Sequence, residues 1–171
     1  MSIAITGTPG TGKTTVSEEL RSRGVSVCDL NAWVRENGLV GDYDEGRDTH
    51  EVDPKDLEAR FGTDAAIVEG HLSHLTGAGT VIVLRCDPRV VEGRLLNRGY
   101  SAAKARENAE AEALDVILLE AIEECDEVLE VDVTSLSPSE AADAVQAIMG
   151  GEREKYAVGD VDWSEVLLLW C

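Results

Sequence analysis

Aromatic side chains are scarce in this chain of 171 residues, of which Phe, Trp and Tyr together make up only 4%. The hydrophobic core must therefore consist mostly of aliphatic side chains, and these are plentiful because hydrophobic residues make up 43% of the sequence. This hydrophobic fraction excludes a disordered chain and indicates a globular one. The length predicts one domain with a sizeable core.

Long apolar runs are absent as well, and none approaches the roughly 18 residues that a transmembrane helix requires. Residues 1–6 lack a basic stretch and a long apolar one, so they are not typical of a secretion signal. The cysteines form no CxxC pair, which favours reduced thiols over a disulfide or zinc framework: Cys28, Cys86, Cys125 and Cys171. These absences predict a cytoplasmic protein that makes no contact with a membrane.

Positively charged residues are few in this sequence. The chain has 15 Lys and Arg residues, only four of them Lys, against 34 Asp and Glu, and its formal net charge is −19. The phosphates of RNA and DNA would repel such a surface, so we expect no strong direct binding to nucleic acid, whereas a basic protein is a compatible partner. An acidic surface with more Arg than Lys resembles that of halophilic proteins, although simple solubility explains most of these carboxylates equally well.

If the charge reflects adaptation to salt, the thermal melting temperature should rise with KCl concentration, because dissolved ions screen the mutual repulsion of the carboxylates. The measurement is thermal unfolding from low salt to molar KCl, with a sucrose series as the uncharged control. A melting temperature that does not change with KCl would contradict this expectation.

Short apolar runs alternate with helical segments along the chain. The runs predict strands at residues 2–6, 25–28, 65–69, 80–85 and 127–131. Helices are predicted between them, from caps and apolar stripes, at 13–23, after Asp29, after Asp53, at 87–97, over one long stretch at 101–124, and from the capping box at 137–140 to Gly150. Residues 38–52 are predicted to form a loop. The alternation predicts an α/β fold, with helices on both faces of a five-stranded parallel sheet.

Residues 7–14, with the sequence GTPGTGKT, match the pattern G-x-x-x-x-G-K-[ST] between a predicted strand and a predicted helix. Three glycines allow backbone angles that turn N–H groups inward around a phosphate: Gly7, Gly10 and Gly12. The Lys13 ammonium can then reach the β- and γ-phosphates, and the Thr14 hydroxyl can bind Mg²⁺. The segment therefore predicts a P-loop that binds ATP with Mg²⁺.

Two further residues are placed to act beside this loop. Glu69 ends a predicted strand, where an acid commonly holds the hydration shell of Mg²⁺ in P-loop enzymes, although an ordinary strand-end carboxylate would look the same. His71 follows two residues later and is a candidate catalytic residue. His74 and His50 are weaker candidates, because an isolated histidine is more often structural.

Arg94 and Arg98 are four residues apart, so they share one face of a helix. Arginines can bind the negative charge that phosphoryl transfer concentrates on the equatorial oxygens, which makes both residues candidate catalytic groups. The alternative is that they pair with surface acids such as Glu92 or Glu107.

Five segments, in this order, resemble the adenylate kinase isoenzyme 6 (Fap7) family: GTPGTGKTT at 7–15, GDYDEGRD at 41–48, EGH at 69–71, RGYS at 98–101 and NAEAE at 108–112. The resemblance covers residues 1–150 and leaves the tail at 151–171 unassigned. It implies a three-layer P-loop kinase fold, with a monophosphate-binding part at 29–52 and a short lid at 98–108. Members transfer phosphate between ATP and AMP or another nucleoside monophosphate, and also hydrolyse ATP.

The same resemblance implies roles for individual residues. ATP would be bound by Gly10, Gly12, Lys13, Thr14 and Thr15, with Arg98 holding its phosphates from the lid and Arg94 assisting. Family members act in late maturation of the small ribosomal subunit (pre-16S rRNA processing) through a basic ribosomal protein of the uS11 type. One departure is Glu69, because the family usually has Asp-x-His at this strand end.

Two other functions fit the same motifs. The protein could be an ATPase assembly switch in which His71 positions water, or a different small-molecule kinase of the same fold, such as a shikimate- or gluconate-kinase-like enzyme. The segments at 43–45 and 98–100 weigh against the latter. Adenine is expected to be read by backbone groups near residues 134–137, so the sequence leaves the preferred monophosphate open.

Overall fold

The computed structural model describes residues 2–39, 43–44, 49–50 and 52–170. Its strands, in chain order, are β1 (Ile3–Thr6), β2 (Val27–Asp29), β3 (Tyr43–Asp44), β4 (Thr49–His50), β5 (Ile67–Glu69), β6 (Thr80–Arg85) and β7 (Val128–Asp132). Its helices are α1 (Lys13–Ser22), α2 (Leu30–Glu36), α3 (Pro54–Arg60), α4 (Pro88–Asn97), α5 (Ala102–Ala113), α6 (Val116–Glu124), α7 (Pro138–Met149) and α8 (Ser164–Trp170). Two 3₁₀ turns lie at Ser73–Thr76 and Glu154–Tyr156.

Five strands form one parallel sheet in the order β2-β5-β1-β6-β7, which confirms the predicted fold class. Every residue of β6 is buried, as expected for a central strand covered on both faces. Side chains alternate between two apolar clusters: Ile5 joins α1, α4 and α7 on one face, and Ala4 joins α2, α3 and α6 on the other. Because these strands are parallel, the carboxyl ends of β1, β2 and β5 lie at the same edge of the sheet.

The predicted helix starts are confirmed by their caps. The side chains of Asp29, Asp53 and Asp87 accept hydrogen bonds from backbone N–H groups in the first turns of α2, α3 and α4. Ser137 and Glu140 form the predicted capping box at the start of α7. These caps satisfy N–H groups that have no partner within the helix, which is why a local sequence pattern is enough to find them.

The single helix predicted over 101–124 is wrong. The chain leaves α5 after Ala113 and starts α6 at Val116, with Asp115 in the left-handed conformation at φ 58°. An ion pair between the Asp115 carboxylate and the Arg85 guanidinium accompanies this break. The apolar periodicity continued across the break and therefore concealed it.

The loop predicted over 38–52 needs a correction too, because β3 and β4 pair in antiparallel fashion within it. Most of the family segment at 41–48 lies outside the described residues. Only Tyr43 and Asp44 of that segment are placed, as the backbone of β3.

The tail beyond residue 151 packs partly on the body of the protein. Val166 of α8 is buried, and the Arg106 guanidinium of α5 lies 3.6 Å from the centre of the Trp170 ring. Leu168 and Leu169 remain exposed, at 75% and 74%. Within the described ranges no helix is both long and apolar enough to cross a bilayer.

Candidate active site

The P-loop joins the end of β1 to the start of α1. Gly7, Gly10 and Gly12 all have positive φ, at 140°, 96° and 102°. A Cβ atom at Gly7 would lie 2.5 Å from the carbonyl oxygen of Leu84, so the loop passes too close to β6 for any side chain there. The glycine spacing is thus a requirement of this turn.

Lys13 opens α1 and folds back over the loop. Its ammonium donates to the carbonyl oxygens of Gly7, at 2.6 Å, and Thr8, at 3.0 Å. Burial lowers the pKa of Lys13 to about 8, although the nearby Glu69 and Glu112 carboxylates act in the opposite direction. A polyphosphate in the loop would offer this ammonium anionic oxygens in place of neutral carbonyls.

We expect ATP affinity to fall as pH rises above about 8, because Lys13 then loses its proton in the free protein and binding must restore it. The loss should approach tenfold per pH unit, since one bound proton is taken up. Calorimetric titration with ATP at several pH values, from about one unit below to about one unit above the Lys13 pKa, measures this loss of affinity. Lys13→Arg is the control, because a guanidinium stays charged throughout this range. Equal ATP affinity of the unmodified protein at both ends of the range would contradict the assignment.

Glu69 and Thr14 face the cavity in front of the loop. Glu69 is only 5% exposed, and burial raises the pKa of its carboxyl while Lys13 lowers it. No donor among the described residues makes a hydrogen bond to this carboxylate, so its oxygens are available to water. A carboxylate and a hydroxyl are hard oxygen donors of the kind that hydrated Mg²⁺ prefers, and the pair therefore fits the predicted role.

The three histidines lie in different surroundings. His71 lines the same cavity, and its pKa is lowered to about 4 by burial and then by Lys13, so its imidazole is neutral near pH 7. His74 is buried in the core with its Nδ1 3.1 Å from the Thr6 hydroxyl, which indicates a structural role. His50 lies in β4.

Arg94 and Arg98 approach the loop from α4 and its carboxyl end. The Arg94 guanidinium donates to the carbonyl oxygens of Gly10, at 3.2 Å, and Thr11, at 3.4 Å. Arg98 is exposed and lines the cavity in front of the loop.

The alternative partners of these arginines are engaged elsewhere. Glu92 lies 3.6 Å from Arg106, and Glu107 lies 3.4 Å from Lys104. Arg94 and Arg98 make no ion pair within the described part of the chain, so the surface-pair interpretation finds no support.

Two cavities meet at the P-loop. The larger has a volume of about 630 Å³, and side chains from several elements line it: Asn31, Glu69, His71, Lys104 and Asn108. The smaller, of about 190 Å³, is lined by Thr15, Leu136 and Ser137 and overlaps the stretch predicted to read adenine. Gly12 and Arg98 line both cavities. This arrangement can hold a nucleotide with its phosphates on the loop and its base beside α7.

A buried ionic network beside the loop was not predicted from the sequence. Glu112 of α5 accepts hydrogen bonds from the Thr8 hydroxyl, at 2.6 Å, and from the Arg85 guanidinium, at 2.9 Å. A local signal was present, because Glu112 shares the buried face of α5 with Ala105 and Ala109. A carboxylate on an otherwise apolar helix face requires a buried partner.

Comparison with known proteins adds independent findings. A family model described as an AAA domain matches residues 3–115. A protein of Natronomonas pharaonis named "putative adenylate kinase" is 49% identical over 170 residues, which cover 98% of this chain and 100% of the relative. Proteins with the same name are 46% identical in Archaeoglobus fulgidus, covering 95% and 92% of the two chains, and 47% identical in Methanothermobacter thermautotrophicus, covering 97% and 99%.

Proposed function

The chain belongs to the family of these archaeal adenylate-kinase relatives and is a P-loop kinase, and we propose that it transfers the γ-phosphoryl group of ATP to AMP or another nucleoside monophosphate. With AMP, the reaction converts one ATP and one AMP into two ADP. The observation that carries the proposal is the meeting of two cavities at the P-loop, with Arg98 lining both.

In this proposal the loop and the arginines position the phosphates. Backbone N–H groups of the loop and the Lys13 ammonium hold the β- and γ-phosphates, and Thr14 and Glu69 hold Mg²⁺, Glu69 through water. Bound Mg²⁺ would neutralise charge on the transferred group. Arg98 contacts the phosphates from the lid, and Arg94 acts from behind the loop. Positioning and charge neutralisation carry most of phosphoryl-transfer catalysis, so no general base is required.

The acceptor is proposed to lie between the P-loop and α2. Asn31, at the start of α2, lines the larger cavity and does not line the smaller one. This supports a monophosphate position beside α2, which belongs to the part at 29–52 that the family resemblance implies.

The test is a mass balance. Purified protein is incubated with ATP and Mg²⁺ in high KCl, with and without AMP, and ADP, AMP and free phosphate are quantified. The expected result is ADP formation with matching AMP loss and little free phosphate. Phosphate release that ignores AMP would indicate an ATPase instead. Phosphorylation of shikimate or gluconate, with none of AMP, would indicate a different kinase of this fold.

ATP hydrolysis is a second candidate activity, favoured by the neutral imidazole of His71 at the larger cavity. A neutral imidazole can accept a hydrogen bond from a water molecule and so orient it. We propose that this activity serves small-subunit maturation through a basic uS11-type protein, a pairing that the net charge of −19 supports. Normal ATP hydrolysis and rRNA maturation by a His71→Gly variant would argue against it.

A further inference from the structure

Glu112 joins the P-loop to the end of β6. The residue is 2% exposed, and three donors occupy its two carboxylate oxygens. Oε2 accepts from the Thr8 hydroxyl at 2.6 Å, and Oε1 accepts from the Arg85 Nε at 2.9 Å and from the Cys86 backbone N–H at 3.2 Å. The carboxyl end of α5 is therefore attached to both the loop and the sheet.

The same helix lines the larger cavity at the P-loop along most of its length. Lys104 and Asn108 of α5 line that cavity, and Asn108 lies one helical turn before Glu112. A helix is stiff over two turns, so the contacts of Glu112 determine the positions of the Lys104 and Asn108 side chains relative to the P-loop.

Thr8 transmits the same constraint to Lys13. The Thr8 carbonyl oxygen accepts from the Lys13 ammonium at 3.0 Å and from the Thr11 backbone N–H at 3.2 Å. The Thr8 side chain is 1% exposed and donates to Glu112, so this contact holds the backbone unit on which Lys13 rests.

Glu130 provides a contrast within the same network. It is 4% exposed and binds the same arginine, at 3.0 Å, through Oε2. Its Oε1 accepts from three successive backbone N–H groups of the tail, those of Gly159, Asp160 and Val161. Glu130 thus shares Arg85 with Glu112 but makes no hydrogen bond to the P-loop.

We propose that Glu112 is a positioning residue for phosphoryl transfer, which acts through Thr8 on the P-loop and through α5 on the phosphate cavity. The inference rests on the proposed kinase function. Glu112 both stabilises the fold through Arg85 and aligns the loop through Thr8, whereas Glu130 only stabilises the fold.

The experiment compares Thr8→Val, Glu112→Ala, Glu112→Gln and Glu130→Gln by kcat, KM for ATP and melting temperature. Thr8→Val and Glu112→Ala should each lower kcat by about 10- to 100-fold, because small displacements of a reacting group cost this much. The double variant Thr8→Val/Glu112→Ala should be no slower than Glu112→Ala alone. The reason is that Thr8→Val removes a contact that Glu112→Ala has already removed.

Two variants separate positioning from folding. The Glu112→Gln side chain can still bridge the Thr8 hydroxyl and Arg85, so this variant should keep most of the kcat of the unmodified protein. Its melting temperature should still be lower than that of the unmodified protein, because the charge that pairs with Arg85 is lost. Glu130→Gln should lower the melting temperature and leave kcat unchanged. Thr8→Val with full kcat, or kcat values that follow the melting temperatures of all four variants, would overturn the proposal.

Failure of the kinase assignment is a distinct result, in which the unmodified protein makes no ADP from AMP. Calorimetric titration with ATP then takes the place of kcat. Thr8→Val and Glu112→Ala should weaken ATP binding several-fold, and Glu130→Gln should not. Equal ATP affinity in all variants would overturn the positioning role whatever the reaction.

Discussion

Replacing Lys13 by alanine should lower phosphoryl transfer by about 10³-fold or more, because removal of one preorganised charge-stabilising donor already costs 10²- to 10³-fold. In the proposed reaction, Lys13 would contact both the group transferred and the group left behind. Its ammonium lies on the carbonyl oxygens of Gly7 and Thr8, at the mouth of the loop that would hold the phosphates. The measurement is kcat for ADP formation from ATP and AMP.

The fold should survive this substitution. Among the described residues, the side chain of Lys13 donates hydrogen bonds to two loop carbonyls, which water can reach once the side chain is gone. The melting temperature should therefore change little, and an inactive but folded Lys13→Ala protein is the expected result. Lys55→Ala is the matched control, because Lys55 is exposed on α3 and should leave kcat unchanged. Turnover retained in the folded Lys13→Ala variant would refute the mechanism.

Replacing Arg85 by methionine should cause the largest loss of stability, about 3–5 kcal/mol, which is typical when one partner of a buried ion pair is removed. Arg85 is 1% exposed and binds Glu112, Glu130 and Asp115. Without the guanidinium, the first two carboxylates remain buried and lose the ion-pair partner that they share. Thermal unfolding should show a decrease of about 6–20 °C, given roughly 2–4 °C per kcal/mol for a domain of this size.

A surface pair gives the comparison. Arg89 binds Asp87 at 2.5 Å, but its side chain is 59% exposed. Solvent screens such a pair, so Arg89→Met should shift the melting temperature by no more than about 2 °C. Equal shifts for Arg85→Met and Arg89→Met would show that the buried network contributes nothing special to stability.

Local patterns predicted the parts of this protein that depend on near neighbours. The P-loop at 7–14 needs its glycines at fixed positions because the backbone there takes positive φ. The caps at Asp29, Asp53 and Ser137 satisfy N–H groups only two or three residues away. Each of these features acts over a few residues, so the sequence alone was sufficient to place it.

Some local patterns misled. The apolar stripe predicted within a single helix at 101–124 runs from Leu114 to Cys125, yet the chain turns at Asp115 and Leu114 is 56% exposed. The break coincides with an ion pair to Arg85, which is 30 residues earlier. A helical period cannot reveal a partner on another element.

The sequence by itself determined the nucleotide-binding loop, the alternation of strands and helices, and hence the parallel sheet. Tertiary structure alone decided which buried charges meet. Arg85 is 27 residues from Glu112 and 45 from Glu130, and these side chains come together only because β6 pairs with β7 and the carboxyl end of α5 reaches the end of β6. Such pairs leave no spacing to detect, because their free energy depends on a burial that exists only after the chain has folded.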